Sequence, residues 1–387
     1  MIALVLFTTA LAVTIYTFLM FPVLLAIRAW LFPKPHAESD VLPAASVLIA
    51  CHNEEANIER KLNNVLALDY PAERLQVVII SDGSTDATED IVARFADRVT
   101  LLALPRRGKA AALNDAVHVT TGEILVFTDA NSMLDTDALR VLVRPFGDRH
   151  VGGAAGDQRY NKTDSMSSIQ EGERRYWSFD RWLKRVQSRA GSVTSATGAL
   201  YAIRRELFET VPGGVTDDFF VSTQVVARGF RLVFAENAIA REPVCDTAAA
   251  EFKRKVRLMT RGLRGVVEMR RLLNPFRYGF YSLQLFSHKV LRRLNVFSLI
   301  ALAVTSPLLW QQGVVFQIAT VLQVAFYAMA AVAQLTRKSR LRVMKLFSLP
   351  AFFVMANVAA FVAAVNVARG KKIELWTPHR VEPLTNG

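Results

Sequence analysis

The sequence predicts an α/β protein: a doubly wound domain set in a frame of transmembrane and interfacial α-helices. Three observations predict it. Between residues 45 and 251, short strands that are apolar throughout alternate with helical patterns, as in a sheet buried on both faces. Residues 1–27, 295–336 and 346–368 carry no charged side chain. Polar, acidic loops follow the strands. Residues 123–131, for one, form an apolar run that closes in a carboxylate, Asp129, and a carboxamide, Asn131.

The N-terminal run can cross a bilayer, which takes about 20 apolar residues. It lacks a basic start and a small-residue cleavage site, so residues 1–31 read as a retained anchor rather than a signal peptide. Residues 46–51, 76–80, 99–104 and 124–128 read as strands, with helices over 54–68, 85–96 and 109–119. After residue 150 the pattern loosens. A long polar helix over 166–188 carries Tyr176, Trp177, Phe179 and Trp182; a short strand follows at 199–203; residues 218–228 form a helix with an acid at its start. Residues 45–265 suffice for one domain with a sizeable core. Residues 266–293 mix aromatic and basic side chains, the composition of helices lying in an interface. Residues 294–368 hold the remaining spans. The first stretch is long enough to cross twice, with Gln311-Gln312-Gly313 as the turn, and Pro350 interrupts the start of the last. Residues 369–387 form a basic tail.

The net charge of +13 is not the signature of a nucleic-acid-binding domain. Twelve Lys or Arg stand against one acid between Phe252 and Arg293, and the chain outside this stretch and the C-terminal end is net acidic. Basic residues beside apolar spans mark a cytoplasmic face, so the polar middle is expected inside a bacterial-type inner or plasma membrane, in contact with membrane lipids. The basic tail favours the same side. Two cysteines, Cys51 and Cys245, make no disulfide framework and suit a reducing compartment.

Three loops gather at the carboxyl edge of the sheet, where a ligand crevice is expected. They read Cys51-His52-Asn53-Glu54-Glu55, Ser81-Asp82-Gly83-Ser84-Thr85-Asp86 and Thr128-Asp129-Ala130-Asn131. Gly108-Lys109 is followed by Ala110, so there is no P-loop, and no G-x-G-x-x-G occurs. Hard oxygens at Asp129 and Asn131 suit a divalent cation carrying a diphosphate. Each feature also has a plainer use. Asp and Asn close strands into turns, Asp218 suits an N-cap, and Lys109 suits a solvated helix start.

Taken in order, these loops with Arg107-Gly108-Lys109, Ala112-Leu113-Asn114, Gly198 to Arg204 and Thr216-Asp217-Asp218 resemble the family 2 glycosyltransferases of GT-A fold. With the flanking spans, the chain resembles the membrane-integrated branch that includes poly-N-acetylglucosamine, cellulose and hyaluronan synthases. The resemblance implies that Asn53 and Glu55 lie beside the nucleotide, and that Asp82 holds its base or ribose. It implies that Lys109 and Asn114 line the same pocket. Asp129 then stands where D-x-D begins, at the metal and diphosphate, and Asp218 where the general base lies. The implied donor is a nucleotide sugar, a UDP-sugar first, with Mg²⁺ or Mn²⁺ at Asp129 and Asn131. Asp217 beside Asp218 can raise one carboxyl pKa by like-charge repulsion.

Two departures modify that expectation. The second Asp of D-x-D is Asn131, a weaker cation ligand. Where processive members carry Q-x-x-R-W, residues 254–258 read Arg-Lys-Val-Arg-Leu. Arg257 keeps the arginine, able to pair with a phosphate and counted here among the catalytic residues. The glutamine and tryptophan are gone. The expected function is inverting transfer of a hexosyl or N-acetylhexosaminyl group to a membrane-associated acceptor, lipid-linked or saccharide, in cell-surface glycan synthesis. A processive polysaccharide synthase with coupled translocation is one alternative. A non-catalytic, membrane-tethered nucleotide-sugar-binding subunit is another.

Overall fold

The computed structural model describes residues 1–160, 168–242, 248–335 and 345–373. The side chains of Tyr176 and Trp177, residue Cys245 and the tail beyond 373 lie outside them. The strands are β1 (Ala45–Cys51), β2 (Leu75–Asp82), β3 (Thr100–Leu104), β4 (Ile124–Phe127), β5 (Met133–Leu134), β6 (Val151–Tyr160), β7 (Tyr201–Arg204) and β8 (Arg231–Glu242). The helices of the same domain are α2 (Ile58–Leu66), α3 (Thr88–Ala93), α4 (Lys109–Val117), α5 (Ala138–Val143), α6 (Ser168–Ala190), α7 (Asp217–Ala227) and α8 (Ala248–Glu268). Around them lie α1 (Ile2–Leu31), α9 (Phe280–Leu308), α10 (Val314–Leu335) and α11 (Lys345–Ala368).

The strands form one sheet in the order β3-β2-β1-β4-β7-β6-β8-β5. β1 to β4 pair in parallel, as expected from the alternation of strands and helices. β7 then runs antiparallel to both β4 and β6, β8 is parallel to β6, and β5 is antiparallel to β8. The sheet is therefore mixed: the four strands first read from the sequence form its parallel half, and β7, β6, β8 and β5 extend it. β7 is buried over Tyr201–Ile203 much as β1 and β4 are, and burial on both faces leaves no sign of direction in a strand.

Alternation along β1 builds two cores. Val47, Ile49 and Cys51 face Ile58, Leu62 and Val65, the apolar stripe of α2. Leu48 and Ala50 face Ala112, Leu113 and Ala116 of α4 and Phe219 of α7. Ile58 and Leu62 are wholly buried, each contributing roughly 2 kcal/mol. The second core also takes in Tyr281 and Leu285 of α9.

The same contact involves the stretch 266–293, read from the sequence as interfacial helices. From Phe280 onward the segment runs without a break into a span and packs into the sheet domain. Only the short helix Pro275–Tyr278 before it leaves an aromatic, Phe276, fully exposed.

Among the described residues, four helices are long and apolar enough to cross a membrane. α1 contains a π-helical turn at Tyr16–Met20. A short turn at Trp310–Gln312 and Gly313 (φ 143°) separates α9 from α10 where the sequence places it. Pro350 is accommodated inside α11. α11 packs along α8: Asn366 Nδ2 donates to Thr260 Oγ1 (3.3 Å), and Arg264 Nη1 to the carbonyl of Gly370 (3.4 Å). The start of the tail therefore lies against the sheet domain.

Candidate active site

The loops after β1 and β2 are tied to each other by the residues the sequence singles out. Asn53, at φ 55°, takes the left-handed conformation that Asn tolerates better than most residues. Its Oδ1 accepts from Thr85 N (2.8 Å) and its own N–H donates to Ser84 Oγ (3.2 Å). Glu55 N donates to Asp86 Oδ2, and Glu55 Oε2 accepts from Ala87 N, both at 3.2 Å. His52 Nδ1 lies 2.9 Å from the carbonyl of Asp82.

Asp82, at the end of β2, is 1% exposed. Its Oδ1 accepts from Arg107 N (2.7 Å) and Gly108 N (3.0 Å), which fixes the turn into α4. Gly108 holds φ 92°, which only glycine adopts readily. The next residue, Lys109, begins α4 and points at the end of β4. Its Nζ lies 2.6 Å from Asp129 Oδ1 and 3.2 Å from Asp217 Oδ2. Burial works against the Lys109 charge, but Asp129 and Asp217 overcome it and hold the pKa above the usual lysine range.

Asp217 and Asp218 open α7, where the exposed N–H groups and helix dipole favour negative charge. Phe219 N donates to Asp218 Oδ1 (2.8 Å). Burial, and then the neighbouring charge of Asp217, raise the Asp218 pKa above the ordinary carboxylate value, with Lys109 opposing. Gly198 lets the loop before β7 approach Asp129: a Cβ there would stand 3.0 Å from Asp129 Oδ2. Lys109 thus joins Asp129 to Asp217, Asp218 is the next residue in the chain, and Asp82 holds the turn just before Lys109.

Two buried hydroxyls beside these residues make no hydrogen bond among the described residues: Thr197 Oγ1 and Tyr201 OH. Unanswered buried polar atoms are costly and mark a place for a polar guest. Tyr201 is stacked on Phe127 (ring centroids 4.7 Å apart). Burial, then Asp217, Asp218 and Asp129, push its pKa well up, so the hydroxyl stays protonated and able to donate.

Lys61 is fully buried beneath the Asp129–Asn131 turn. Its Nζ donates to Thr128 Oγ1 (2.9 Å) and to the carbonyl of Ser132. Burial pushes its pKa down to about 7, with Asp129 and Glu242 opposing.

Asp218 and Thr216 line a cavity of about 450 Å³ whose other walls come from α1, α6, α8, α9 and α11 and from Phe219 of α7. Arg254, Lys255 and Leu258 of α8 face into it. Arg257 is half-buried on the same helix and stands outside the lining. Asn114 spends both ends of its amide on the backbone of Val211 (Nδ2 to O 3.0 Å, Oδ1 from N 2.8 Å). It clamps α4 to the segment before α7. Asn131 is half-buried one turn beyond Asp129.

Sequence reasoning passed over Lys61, Thr197 and the hydroxyl of Tyr201. Lys61 has a signal of sorts, a lysine on the apolar stripe of α2, but a lysine there reads equally as a solvated edge.

Residues 46–211 match the family model described as glycosyl transferase family 2. Over 240 residues the chain is 31% identical to a poly-beta-1,6-N-acetyl-D-glucosamine synthase of Staphylococcus aureus, covering 60% of this chain and 57% of that protein. A protein of the same name from Staphylococcus epidermidis is 28% identical over 230 residues, 57% of this chain and 55% of its own. The chain thus spans a little over half the length of these curated relatives. Among solved structures, a mannosyltransferase of Pyrobaculum calidifontis, determined with GDP-Man and Mn²⁺, superposes with a TM-score of 0.70 at 25% identity. That match covers 95% of this chain and 100% of the other. Residues 46–211 of this chain are a glycosyl transferase family 2 domain, built on a GT-A-type mixed sheet.

Proposed function

We propose that the protein is an inverting glycosyltransferase. It moves a sugar from a nucleotide-sugar donor to a membrane-associated acceptor. The observation that carries this reading is the Lys109 ammonium between Asp129 and Asp217, with Asp218 next to Asp217 at the wall of a cavity that the long apolar helices help to line.

The acceptor hydroxyl oxygen bonds to the anomeric carbon of the donor from the face opposite the diphosphate. The anomeric bond to the diphosphate breaks, and its electron pair leaves with the nucleoside diphosphate. The hydroxyl proton passes to the Asp218 carboxylate, general-base help of the kind worth about 10²–10⁴ in rate. Lys109 holds Asp129 in place and offsets charge growing on the leaving group. Tyr201 OH and Thr197 Oγ1 offer two further hydrogen bonds to the diphosphate or the sugar. Asn53 and Glu55 fix the loops that frame the nucleotide, and Asp82 fixes the turn that delivers Lys109.

A divalent cation, Mg²⁺ or Mn²⁺, fits the residues present. The donors are hard oxygens, Asp129 with Asn131 beside it, which leaves the remaining positions to phosphate oxygens and water. Among the described residues no group of three His, Cys, Asp or Glu side chains encloses an ion, so most of its ligands would come with the donor. When bound, the cation supplies charge compensation for the leaving diphosphate.

The relatives' names favour an N-acetylhexosaminyl donor and carry the second reading, extension of a polysaccharide. Leu258, 41% exposed at the cavity where a stacking tryptophan would serve a growing chain, favours transfer of one or a few sugars. The positive-inside pattern supports a cytoplasmic catalytic domain. A thermal-unfolding screen of the purified protein against UDP-, GDP- and dTDP-sugars with Mn²⁺ tests the reading, since a ligand of the native state raises the midpoint. Protection by one class is expected. No protection by any of them, at millimolar concentration, would sink it.

A further inference from the structure

We infer that Arg261 of α8 is a positioning residue for Asp218: its guanidinium holds the backbone turn that delivers the proposed base to the cavity wall. This deepens the transfer reading and rests on it.

Arg261 is buried, and its Nε (3.0 Å) and Nη2 both donate to one backbone carbonyl, that of Val215. Burying a guanidinium is costly, and a carboxylate is the partner that suits its fork best. Here it holds main chain instead. The place of that carbonyl gives the reason. The carbonyl of Thr216 accepts from Phe220 N (3.0 Å) and so begins the helical ladder of α7. The carbonyl of Val215 stands one residue earlier, outside the ladder, and Arg261 fixes it with a charge-assisted bond, stronger than a neutral one. Two positions on, Asp217 faces Lys109 (3.2 Å), and Asp218 follows at the cavity wall.

α8 also grips the chain just after the two acids. Gly265 lets α8 close on α7, since a Cβ there would lie 2.7 Å from Phe219 Cδ1. Arg261 and Gly265 are four positions apart and share a face of α8. Val215 and Phe219 bracket Asp217 and Asp218, so that single face holds both ends of the turn. Thr260 and Arg264, again four apart, turn towards α11. They meet Asn366 (3.3 Å) and the carbonyl of Gly370 (3.4 Å). α8 is thereby braced between a long apolar helix and the turn that carries the base. Without Arg261 the grip on Val215 is lost, while Asn114 still holds Val211 and Lys109 still holds Asp129. A base displaced by about 1 Å costs up to about 10²-fold in rate.

The test is a double-mutant cycle on the full chain. It reads release of nucleoside diphosphate from the sugar nucleotide that protects the protein, with Mn²⁺ and a membrane lipid extract. Arg261→Gln is expected to lower kcat about 30-fold and to leave the donor KM within about twofold. In the Asp218→Asn background there is no base to place, so the same change is expected to cost less than about twofold, because residues acting as a unit are not additive. Arg261→Lys keeps the charge and one donor, and should lose about threefold, only where Asp218 is present. An equal loss in both backgrounds would overturn the inference and leave Arg261 a structural residue. So would an unchanged kcat, or a loss carried by the donor KM. Should Arg261→Gln fail to fold, Arg261→Lys decides by the same comparison. No release by the wild type from any sugar nucleotide would remove the transfer reading and this inference together; wild-type turnover with equal losses would remove this inference alone.

Discussion

Lys109 Nζ lies 2.6 Å from Asp129 Oδ1, so the first residue of α4 holds the carboxylate at the end of β4. The same ammonium, 3.2 Å from Asp217, keeps three neighbouring acids from repelling one another without relief. Lys109→Met removes that relief. Because Lys109 lowers the Asp218 pKa, its loss raises it further. The acid limb of the pH profile of kcat/KM should move to higher pH, with a fall in rate of about 10²-fold at neutral pH. An unmoved acid limb would separate Lys109 from the base.

Asp218 carries a stability cost that the proposed role as general base would explain. Its folded pKa is raised by burial and by Asp217. The folded state therefore favours the protonated acid, and this contribution is lost as pH rises through the folded pKa. Asp218→Asn keeps the shape without the charge. Its thermal midpoint should exceed that of the wild type at neutral pH, and the gap should close as pH falls into the ordinary carboxylate range. A variant less stable at every pH would show that the carboxylate is there for structure.

Much of the parallel half of the sheet was legible, because β1, β2 and β4 are unbroken apolar runs and each ends in a polar loop. β6 was not. Its run of Gly152, Gly153, Ala154, Ala155 and Gly156 has no strand pattern, and the reason is steric: a Cβ at Gly152 would lie 2.5 Å from Leu207 Cδ1 and 2.6 Å from Phe230 Cβ. At the site, residue order brought out Asp82, Lys109, Asp129 and Asp218, which stand at strand and helix ends. The clamp made by Asn114 on Val211, 97 positions away, has no local signature. The cavity draws on six helices scattered from α1 to α11, and only folding assembles them.

Lys61 offers a test of the support beneath the Asp129–Asn131 turn. Burial pushes its pKa down to about 7, below that of the unfolded chain. The unfolded state then holds a proton that the folded state releases, so stability rises as pH climbs from about 7 towards the ordinary lysine range. Lys61→Met lacks this term. The thermal midpoint of the wild type should rise relative to the variant over that interval; a constant difference would mean that the amine does not titrate there.

Asn131→Asp restores a second carboxylate two positions after Asp129. If Asn131 faces the cation, the Mn²⁺ concentration for half-maximal donor turnover should fall about tenfold, because a carboxylate binds such ions better than an amide. No change in that concentration would remove Asn131 from the ligand set.

The most direct measurement is release of nucleoside diphosphate from the sugar nucleotide that protects the purified protein, with Mn²⁺ and a membrane lipid extract as acceptor source. Asp218→Asn is expected to lower the rate by about 10³-fold while donor protection persists, since the base acts only as the bond forms. Turnover by Asp218→Asn equal to that of the wild type would contradict the account.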